Sequence, residues 1–387
     1  MRLQLSACTA AALALALALA LALAGSARAE GLRLTQDTLL YSDSDSVMVA
    51  SPQLALHHDL DEAGGEASAR VVVDMVSAAS VDVVSHASKR FTEVRQEIDA
   101  DVSKAFGRHL PSLGYRYSRE NDYWSHGVTL GWRETLSPDT TVQASYGLTL
   151  DQVGRAGDAR DNAHGLRTHN ASLGLTQVLG PRSLARVMYT LTLEDGYLEK
   201  PYRFVPLFDQ AGVDLAAARG EQLGLGSFAR YSLPERPAEE VPDLRAGHAF
   251  ALRYLRWVAA LAASLRLDGQ LYVDSWGLLA GTAEPALEFG LGGNLELSLR
   301  GRAYHQRAVG FWQRTYVVSP GELPRYRSMD RELSSFSTLE GGLGLAYAGK
   351  RFEAYAEGSF MNTWYRDYLF LDSRYAVVVQ AGLRWTP

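Results

Sequence analysis

The sequence predicts an all-β fold, a transmembrane antiparallel up-and-down β-barrel of sixteen strands with short periplasmic turns and long extracellular loops. Three observations lead to this class. Segments of about ten residues alternate apolar and polar side chains, as tilted membrane strands do. Apolar residues make up 47% of the chain, yet after the first thirty residues they form no long continuous run. Finally, the connections between the segments alternate between short and long.

The alternation is clearest over residues 140–151. One face of this segment carries only apolar side chains, namely Val142, Ala144, Tyr146, Leu148 and Leu150. The other face carries polar side chains and a glycine. The segments 261–275 and 294–310 repeat the pattern. In a membrane barrel the apolar face contacts lipid and the polar face lines the lumen, so we assign the two faces in this way.

Sixteen such segments follow one another along the chain. An even number is expected for a bacterial barrel, and it requires a first strand at 31–42. The predicted strands are 31–42, 46–57, 66–77, 91–105, 112–119, 126–136, 140–151, 167–178, 183–195, 246–257, 261–275, 284–292, 294–310, 334–347, 351–364 and 375–385. The long connections between them are 78–90, 152–166, 196–245, 311–333 and 365–374.

Residues 1–29 have the composition of a cleaved signal peptide. Arg2 precedes an Ala/Leu-rich run over 10–24, and small residues flank a cleavage point before Glu30. We therefore expect export, a single barrel domain over residues 30–387 and an outer-membrane location in a Gram-negative bacterium. Cys8 is the only cysteine, so the processed chain has no disulfide, thiolate zinc site or covalent haem attachment.

The charge and the last strand indicate the partners. The net charge of −6 argues against a nucleic-acid partner, because binding to phosphates requires a basic surface. The segment 375–385 alternates apolar residues up to Trp385, and an aromatic residue near the end is typical of barrels. We expect outer-membrane lipid and the barrel-assembly machinery as partners, although Thr386 and Pro387 follow the aromatic residue.

A repeated motif occupies residues 74–88, where D-x-V-S-x-A-S occurs twice at a spacing of eight. Its carboxylates and hydroxyls, with those of an acidic turn at 43–45, are the oxygen ligands that Ca²⁺ takes. The candidate ligands are Asp74, Ser77, Asp82, Ser85, Asp43 and Asp45. The alternative is structural, because Asp and Ser also close turns on their own backbone. Apart from this possible Ca²⁺, no cofactor is expected.

The 74–88 motif resembles the hallmark of a bacterial outer-membrane family catalogued as domain of unknown function 3570. Further similar stretches are S-D-S-D at 42–45, G-Y-L-E-K-P-Y-R at 196–203 and D-S-W-G at 274–277. The resemblance implies an outer-membrane β-barrel. It also implies an envelope redox context with a periplasmic redox protein as a partner. The family has no established catalytic residues, so none is carried over.

Charged residues alternate along the predicted lumen face of 91–105. They are Glu93, Arg95, Glu97, Asp99 and Asp101, and arginines of later strands supply the opposite sign, namely Arg253, Arg256, Arg266, Arg300 and Arg302. Such charges either tune the passage of ions or pair across the lumen and fill it. Composition alone leaves both readings open.

No constellation in the sequence meets the geometry of a hydrolase. His169 and Ser172 lie on one predicted strand, but their odd spacing places them on opposite faces. We therefore predict that the protein is not an enzyme. The sequence favours a pore, or a sheath for an envelope redox system. The alternative is a non-conducting scaffold that anchors or displays envelope redox proteins, and a barrel hydrolase comes third.

Overall fold

The computed structural model describes residues 31–62, 64–78, 91–155, 163–319 and 321–387. Sixteen long antiparallel strands form one closed barrel. They are β1 (Leu32–Asp43), β2 (Val47–Asp59), β3 (Glu66–Ala78), β4 (Phe91–Ser103), β5 (His109–Arg119), β6 (Tyr123–Ser137), β7 (Thr140–Val153), β8 (His164–Gly180), β9 (Ser183–Gly196), β11 (Leu244–Val258), β12 (Ala263–Asp274), β13 (Leu279–Gly292), β14 (Leu295–Arg307), β16 (Phe336–Ala348), β17 (Phe352–Tyr365) and β18 (Ser373–Trp385). The two-residue strands β10 (Leu207–Phe208) and β15 (Tyr316–Val317) lie outside the barrel and pair in parallel.

Pairing of the first strand with the last closes the barrel, with Leu34 opposite Trp385. This confirms the predicted class and the strand at 31–42. Most predicted ends agree within a few residues. The start of β13 differs most, because the strand begins at Leu279 rather than 284. Its first residues include Ala280, Gly281 and Ala283, and their small side chains weaken the alternation that marks a strand.

The two faces of the barrel differ as the alternation predicts. On β4, Ile98 is 54% exposed on the outer face, while its neighbour Glu97 is only 8% exposed on the inner face. Apolar side chains are likewise exposed on the outer face of β7, β12 and β18. This arrangement suits a protein surrounded by lipid, since a membrane barrel has an apolar exterior and a polar interior.

The turns at the two ends differ in length. At one end, here the turn end, the strands are joined by tight connections such as that between β13 and β14. Gly292, Gly293 and Asn294 all have positive φ there, of 82°, 61° and 67°, a conformation in which glycine and asparagine are tolerated best. The long connections lie at the opposite end, the loop end.

A folded cap covers the loop end, where only loops were expected. It comprises residues 197–243, the described residues of 308–335, and 366–372. The first of these loops contains β10 and the helices α1 (Gln210–Ala218) and α2 (Phe228–Tyr231), and the second contains β15. At the start of α1, the Gly212 N–H donates to the Asp209 carboxylate at 2.7 Å.

The cap has its own apolar core. Its buried members come from all three segments and are Val205, Leu207, Phe208, Ala216, Phe228, Tyr231, Tyr316, Met329, Tyr368, Leu369 and Phe370. Trp312, five residues after the end of β14, packs against this core. No helix of the described residues is long and apolar enough to cross a membrane.

Two arginines contact the turn between β1 and β2, one from the cap and one from the barrel strand β18. Arg331 pairs with Asp45 at 2.5 Å and Arg374 pairs with Asp43 at 3.3 Å. All four side chains are largely buried. The Arg331 pair joins the cap to the barrel wall, whereas the Arg374 pair joins two barrel strands, because Arg374 lies on β18 and Asp43 ends β1. An ion pair shielded from water in this way is costly to break, so the Arg331 contact fixes the cap relative to the wall.

Candidate functional site

A cavity of about 740 Å³ lies between the cap and the barrel wall. Its wall comes from the loop ends of several strands from β6 to β14 and from cap residues around 197–202 and 330–333. Eight carboxylates line it, namely Glu120, Asp122, Asp151, Glu194, Glu199, Glu239, Asp330 and Glu332, against three basic side chains, Lys200, Arg245 and Arg302.

The excess of acid is larger than these numbers suggest. Arg245 pairs with Asp274 at 2.6 Å, and Arg302 pairs with Glu284 at 2.8 Å. Neither of these acids lines the cavity, so two of the three cations are already engaged outside it. The cavity therefore has a negative potential and favours cations over anions.

A buried charge cluster joins two segments of the cap at the edge of this cavity. Arg203 pairs with Asp330 at 2.6 Å and lies 3.6 Å from Glu239. Glu239 also accepts hydrogen bonds from the Lys200 N–H at 2.7 Å and from the Ser328 hydroxyl. Arg203 is thus the common cationic partner of Glu239 and Asp330, which are only 4% and 6% exposed.

Because Glu239 and Asp330 share one arginine, their pKa values shift in opposite directions. Burial raises the pKa of Glu239 above its ordinary value, even though Arg203 and the Ser328 hydroxyl lower it. Burial acts on Asp330 in the same direction. There, however, Arg203, the Glu332 N–H and Lys200 outweigh it and hold the pKa of Asp330 below its ordinary value. Arg203 offsets the cost of burying the charge of Asp330 better than that of Glu239, in agreement with the shorter distance between Arg203 and Asp330.

These opposite shifts predict that cap stability peaks in mild acid. Glu239 has a raised folded-state pKa, so its unfavourable ionisation is relieved as the pH falls toward the ordinary value of 4.5. Asp330 has a lowered pKa, so its stabilising charge is lost below the ordinary value of 3.8. We expect protection of 199–208 from hydrogen exchange, corrected for the intrinsic rate, to rise from pH 7 to about 4.5 and to fall below about 3.8. Glu239→Gln should remove the rise and keep the fall, and a variant that keeps both would contradict this assignment.

The predicted lumen charges of β4 lie on the inner face, and three of them, Arg95, Glu97 and Asp99, form ion pairs with β3. Arg95 pairs with Asp74 at 2.5 Å, and Arg70 pairs with Asp99 at 2.8 Å and Glu97 at 3.5 Å. Asp101 continues the same face toward the turn end. Glu93, at the loop end, lies beside the turn between β5 and β6, where the Asn121 N–H donates to it.

The later arginines also pair along the wall. Arg266 lies 3.4 Å from Asp268 and 3.7 Å from Glu288. Arg253 pairs with Asp268 and Arg302 with Glu284, while Arg300 pairs with Glu340 and Glu357. Arg256 was expected among them but lies on the other face, because its even position on β11 matches that of the exposed Phe250 and Leu252.

The structure describes four of the six candidate calcium ligands. Asp74 pairs with Arg95, and Asp43 accepts the N–H groups of Asp45 and Val47 at 3.0 and 2.9 Å. Asp45 pairs with Arg331, and Ser77 lies near the end of β3. Asp82 and Ser85 lie outside the described residues, as does the predicted signal peptide. The calcium site therefore stays a prediction.

His169 and Ser172 lie on opposite faces of β8. The Tyr146 hydroxyl and the His169 Nδ1 are 2.7 Å apart on the outer face, whereas the Ser172 hydroxyl contacts the Ser145 hydroxyl at 2.7 Å. These two side chains form no nucleophile–base pair, and the absence of an enzyme activity stays a prediction.

Sequence reasoning did not find the cap cluster or the acidic cavity. One signal of the cap cluster was present in the sequence, because the 196–203 stretch contains its two basic residues, Lys200 and Arg203. The 274–277 stretch also has a structural role, since the Asp274 carboxylate accepts the N–H groups of Trp276 and Leu278 at 2.9 and 3.0 Å. Both stretches were quoted only for their resemblance to a family.

Comparison with known proteins identifies one matching sequence family and a number of solved barrel structures of similar fold. The family described as protein of unknown function (DUF3570) matches residues 83–165 and 157–367. None of the curated proteins matches the chain by sequence. Among solved structures, a bacterial polysaccharide outer membrane secretin superposes with a TM-score of 0.51 at 8% identity, covering 93% of this chain and 100% of that one.

Two larger barrels are also similar. They are the siderophore receptor PirA from Pseudomonas aeruginosa (TM-score 0.45, 12% identity, 91% of this chain) and CdiB from Acinetobacter baumannii (TM-score 0.49, 8% identity, 91% of this chain). The chain spans only 61% and 60% of their lengths. At such identities the likeness describes the barrel fold alone.

Proposed function

The chain belongs to the family described as protein of unknown function (DUF3570), and from this premise we propose that it is an outer-membrane pore for small cations whose outer mouth is narrowed by the cap. Export by the predicted signal peptide and an outer-membrane location are parts of this proposal. The apolar outer face and the sixteen strands support the membrane location. A barrel of this size encloses water unless something plugs it.

The acidic cavity under the cap is the observation that carries the proposal. A solute that enters between the cap segments meets eight carboxylates, of which Glu239 and Asp330 share Arg203. Deeper along the wall, acids and arginines are paired. Fixed charge of one sign at a constriction concentrates ions of the opposite sign. The paired wall has little net charge, so we assign selectivity to the cavity rather than to the wall.

The first test measures ion selectivity in a planar bilayer. Under a KCl gradient, we expect the reversal potential of the wild-type protein to show a preference for K⁺ over Cl⁻. Glu194→Lys reverses one charge on the inner face of β9 and should shift the reversal potential toward zero. Asp195→Lys makes the same change on the outer face, since Glu194 lines the cavity and Asp195 does not. This control should leave the selectivity unchanged.

Two results would overturn the selectivity assignment. The first is a preference for anions in the wild-type protein, and the second is an equal shift in both lysine variants. An equal shift would mean that surface charge in general, rather than the cavity, sets the preference. Loss of selectivity at high salt would be compatible with the proposal, because counterions screen fixed charges over about 10 Å at 0.1 M.

The second candidate function is a non-conducting scaffold that anchors or displays envelope proteins. The buried core of the cap and its ion pair to Asp45 favour it, since a rigid plug blocks passage. A redox partner rests on the family resemblance alone. Absence of current from a folded protein, in the wild type and after the cap has been loosened, would favour the scaffold over the pore.

A further inference from the structure

Two arginines lie near each other on the outer face of the barrel, at its loop end. Arg307 ends β14 opposite Leu279, which is 44% exposed on the outer face. Arg366 lies two residues after Trp364 of β17, which is 43% exposed on the same face. Residues two positions apart on extended backbone share a face, and the Arg366 N–H still pairs with the Ser335 carbonyl at 2.9 Å. Both arginines are therefore on the side that faces lipid.

Ser335 lies between the two arginines. Its hydroxyl accepts the backbone N–H of the residue after Arg307 at 2.9 Å, while its carbonyl accepts the Arg366 N–H. The two arginines are thus two strand spacings apart, a backbone separation of about 10 Å. One residue pair closer to the turn end, the His305 Nδ1 and the Ser337 hydroxyl lie 2.9 Å apart. We call this set the arginine patch: Arg307, Arg366, Ser335, His305 and Ser337.

Neither arginine of the patch has a counter-charge in the protein. Among the described residues, no carboxylate forms an ion pair with Arg307 or Arg366, and both side chains are exposed. The nearby Arg331 and Arg374, in contrast, each pair with an acid at the end of β1 or in the turn after it. A charge on the lipid-facing surface of a barrel is costly at the bilayer centre and costs little at the interface. The two arginines therefore belong at the level of the lipid headgroups.

Neighbouring aromatic and apolar side chains mark the same boundary. Trp364 and Tyr375 are exposed near the loop ends of β17 and β18, and the Tyr375 ring stacks with Phe360 at a centroid distance of 6.3 Å. Such a girdle of aromatic residues lies at the membrane interface of barrels. Farther toward the turn end, Leu339 and Leu343 of β16 are both 55% exposed. An apolar surface that suits acyl chains thus adjoins the hydrogen-bond donors of the patch.

We propose that the arginine patch binds a phosphate group of a phosphorylated glycolipid in the outer leaflet, whose acyl chains lie along β16 and β17. Long loops of bacterial barrels lie outside the cell, so the patch faces that leaflet. Guanidinium groups bind phosphate oxygens through paired, charge-assisted hydrogen bonds. Two of them on either side of a serine, above a histidine and a second serine, offer donors around one phosphate group.

The proposal rests on the proposed outer-membrane location but not on conduction. The patch lies on the outer face, whereas the acidic cavity lies on the inner side of the barrel wall. Lipid binding is measured on protein that carries no current. A barrel without conductance would therefore leave the lipid expectation unchanged, and a barrel that binds no phosphorylated lipid would leave the expected K⁺ preference unchanged.

The experiment adds diphosphoryl lipid A to the purified full-length protein in a neutral detergent and counts bound lipid by native mass spectrometry. We expect lipid A to stay bound at concentrations at which phosphatidylcholine, whose phosphate is balanced by its own cationic headgroup, does not. Arg307→Gln with Arg366→Gln should weaken the apparent affinity for lipid A about tenfold or more, because two charged donors are lost. Each single variant should show a smaller loss.

The control is Arg256→Gln, which removes an exposed arginine from the outer face at the turn end. It makes the same change in net charge far from the patch and should leave lipid A binding unchanged. Unchanged binding in the Arg307/Arg366 double variant would overturn the proposal, as would an equal loss in the control. Displacement of lipid A by an equal concentration of inorganic phosphate would overturn the assignment to a lipid. Retention of the heat-modifiable gel band would verify that each variant is folded.

Discussion

Replacing Arg203 by methionine is expected to separate two segments of the cap from each other while the barrel stays folded. The change leaves Glu239 and Asp330, 4% and 6% exposed, without their common cation. Removal of one partner of a buried pair costs about 3–5 kcal/mol, because the remaining charge stays buried and unpaired. We expect hydrogen exchange of 199–208 and 324–334 to accelerate by two to three orders of magnitude or more, and single-channel openings to become larger or more frequent.

Arg230→Met is the matched control for this prediction. Arg230 also lies in the cap and pairs with Glu221 at 2.7 Å, but its side chain is exposed. Exposed pairs contribute little, so this variant should behave as the wild type. Adding Asp330→Asn to Arg203→Met should restore part of the protection, since it removes one of the stranded charges. Unchanged exchange in Arg203→Met would mean that the cluster does not hold the cap.

The barrel could be predicted from the sequence because its signal is local. Residues two positions apart in a strand lie on the same face, so the alternation within one strand shows which face is apolar. Leu267 and Asp268 are therefore placed correctly without knowledge of any other strand. The small residues near Ala280 and Gly281 removed that signal at the start of β13. The lumen charges other than Arg256 were found in the same way, and the ion pairs between them required the register of neighbouring strands.

The cap and its cluster could not be predicted in this way. The contact between Ser328 and Glu239 joins positions 89 residues apart, and that between Arg331 and Asp45 joins positions 286 apart. No periodicity relates such positions, and β10 and β15 have only two residues each. The carboxylates Glu93 and Asp122 meet only because a turn of the neighbouring hairpin lies beside β4. Apolar residues in the long loops, such as Leu207 and Phe208, were the one available signal of a separate core.

Truncation of Phe208 to alanine is expected to unfold the cap by a route independent of charge. The side chain is 0% exposed in the cap core, and the Phe208 carbonyl accepts the Val318 N–H at 2.8 Å. Loss of a fully buried phenylalanine side chain costs about 3–5 kcal/mol through lost burial and the cavity that remains. We expect urea to expose the cap segments to hydrogen exchange at a much lower concentration than in the wild type. The exposed Leu215→Ala on α1 should have a small effect.

The comparison of Phe208→Ala with Arg203→Met separates two descriptions of the cap. If the cap is one cooperative unit, both variants should expose the same segments, 197–243 and 308–335, and both should leave the gel mobility of the barrel unchanged. Only Arg203→Met should then change the pH dependence of protection, because only it alters Glu239 and Asp330. Exposure limited to the mutated loop would contradict a single unit. A loss of barrel mobility in Phe208→Ala would mean instead that the cap and the barrel fold together, and the mouth would then have no independent means of opening.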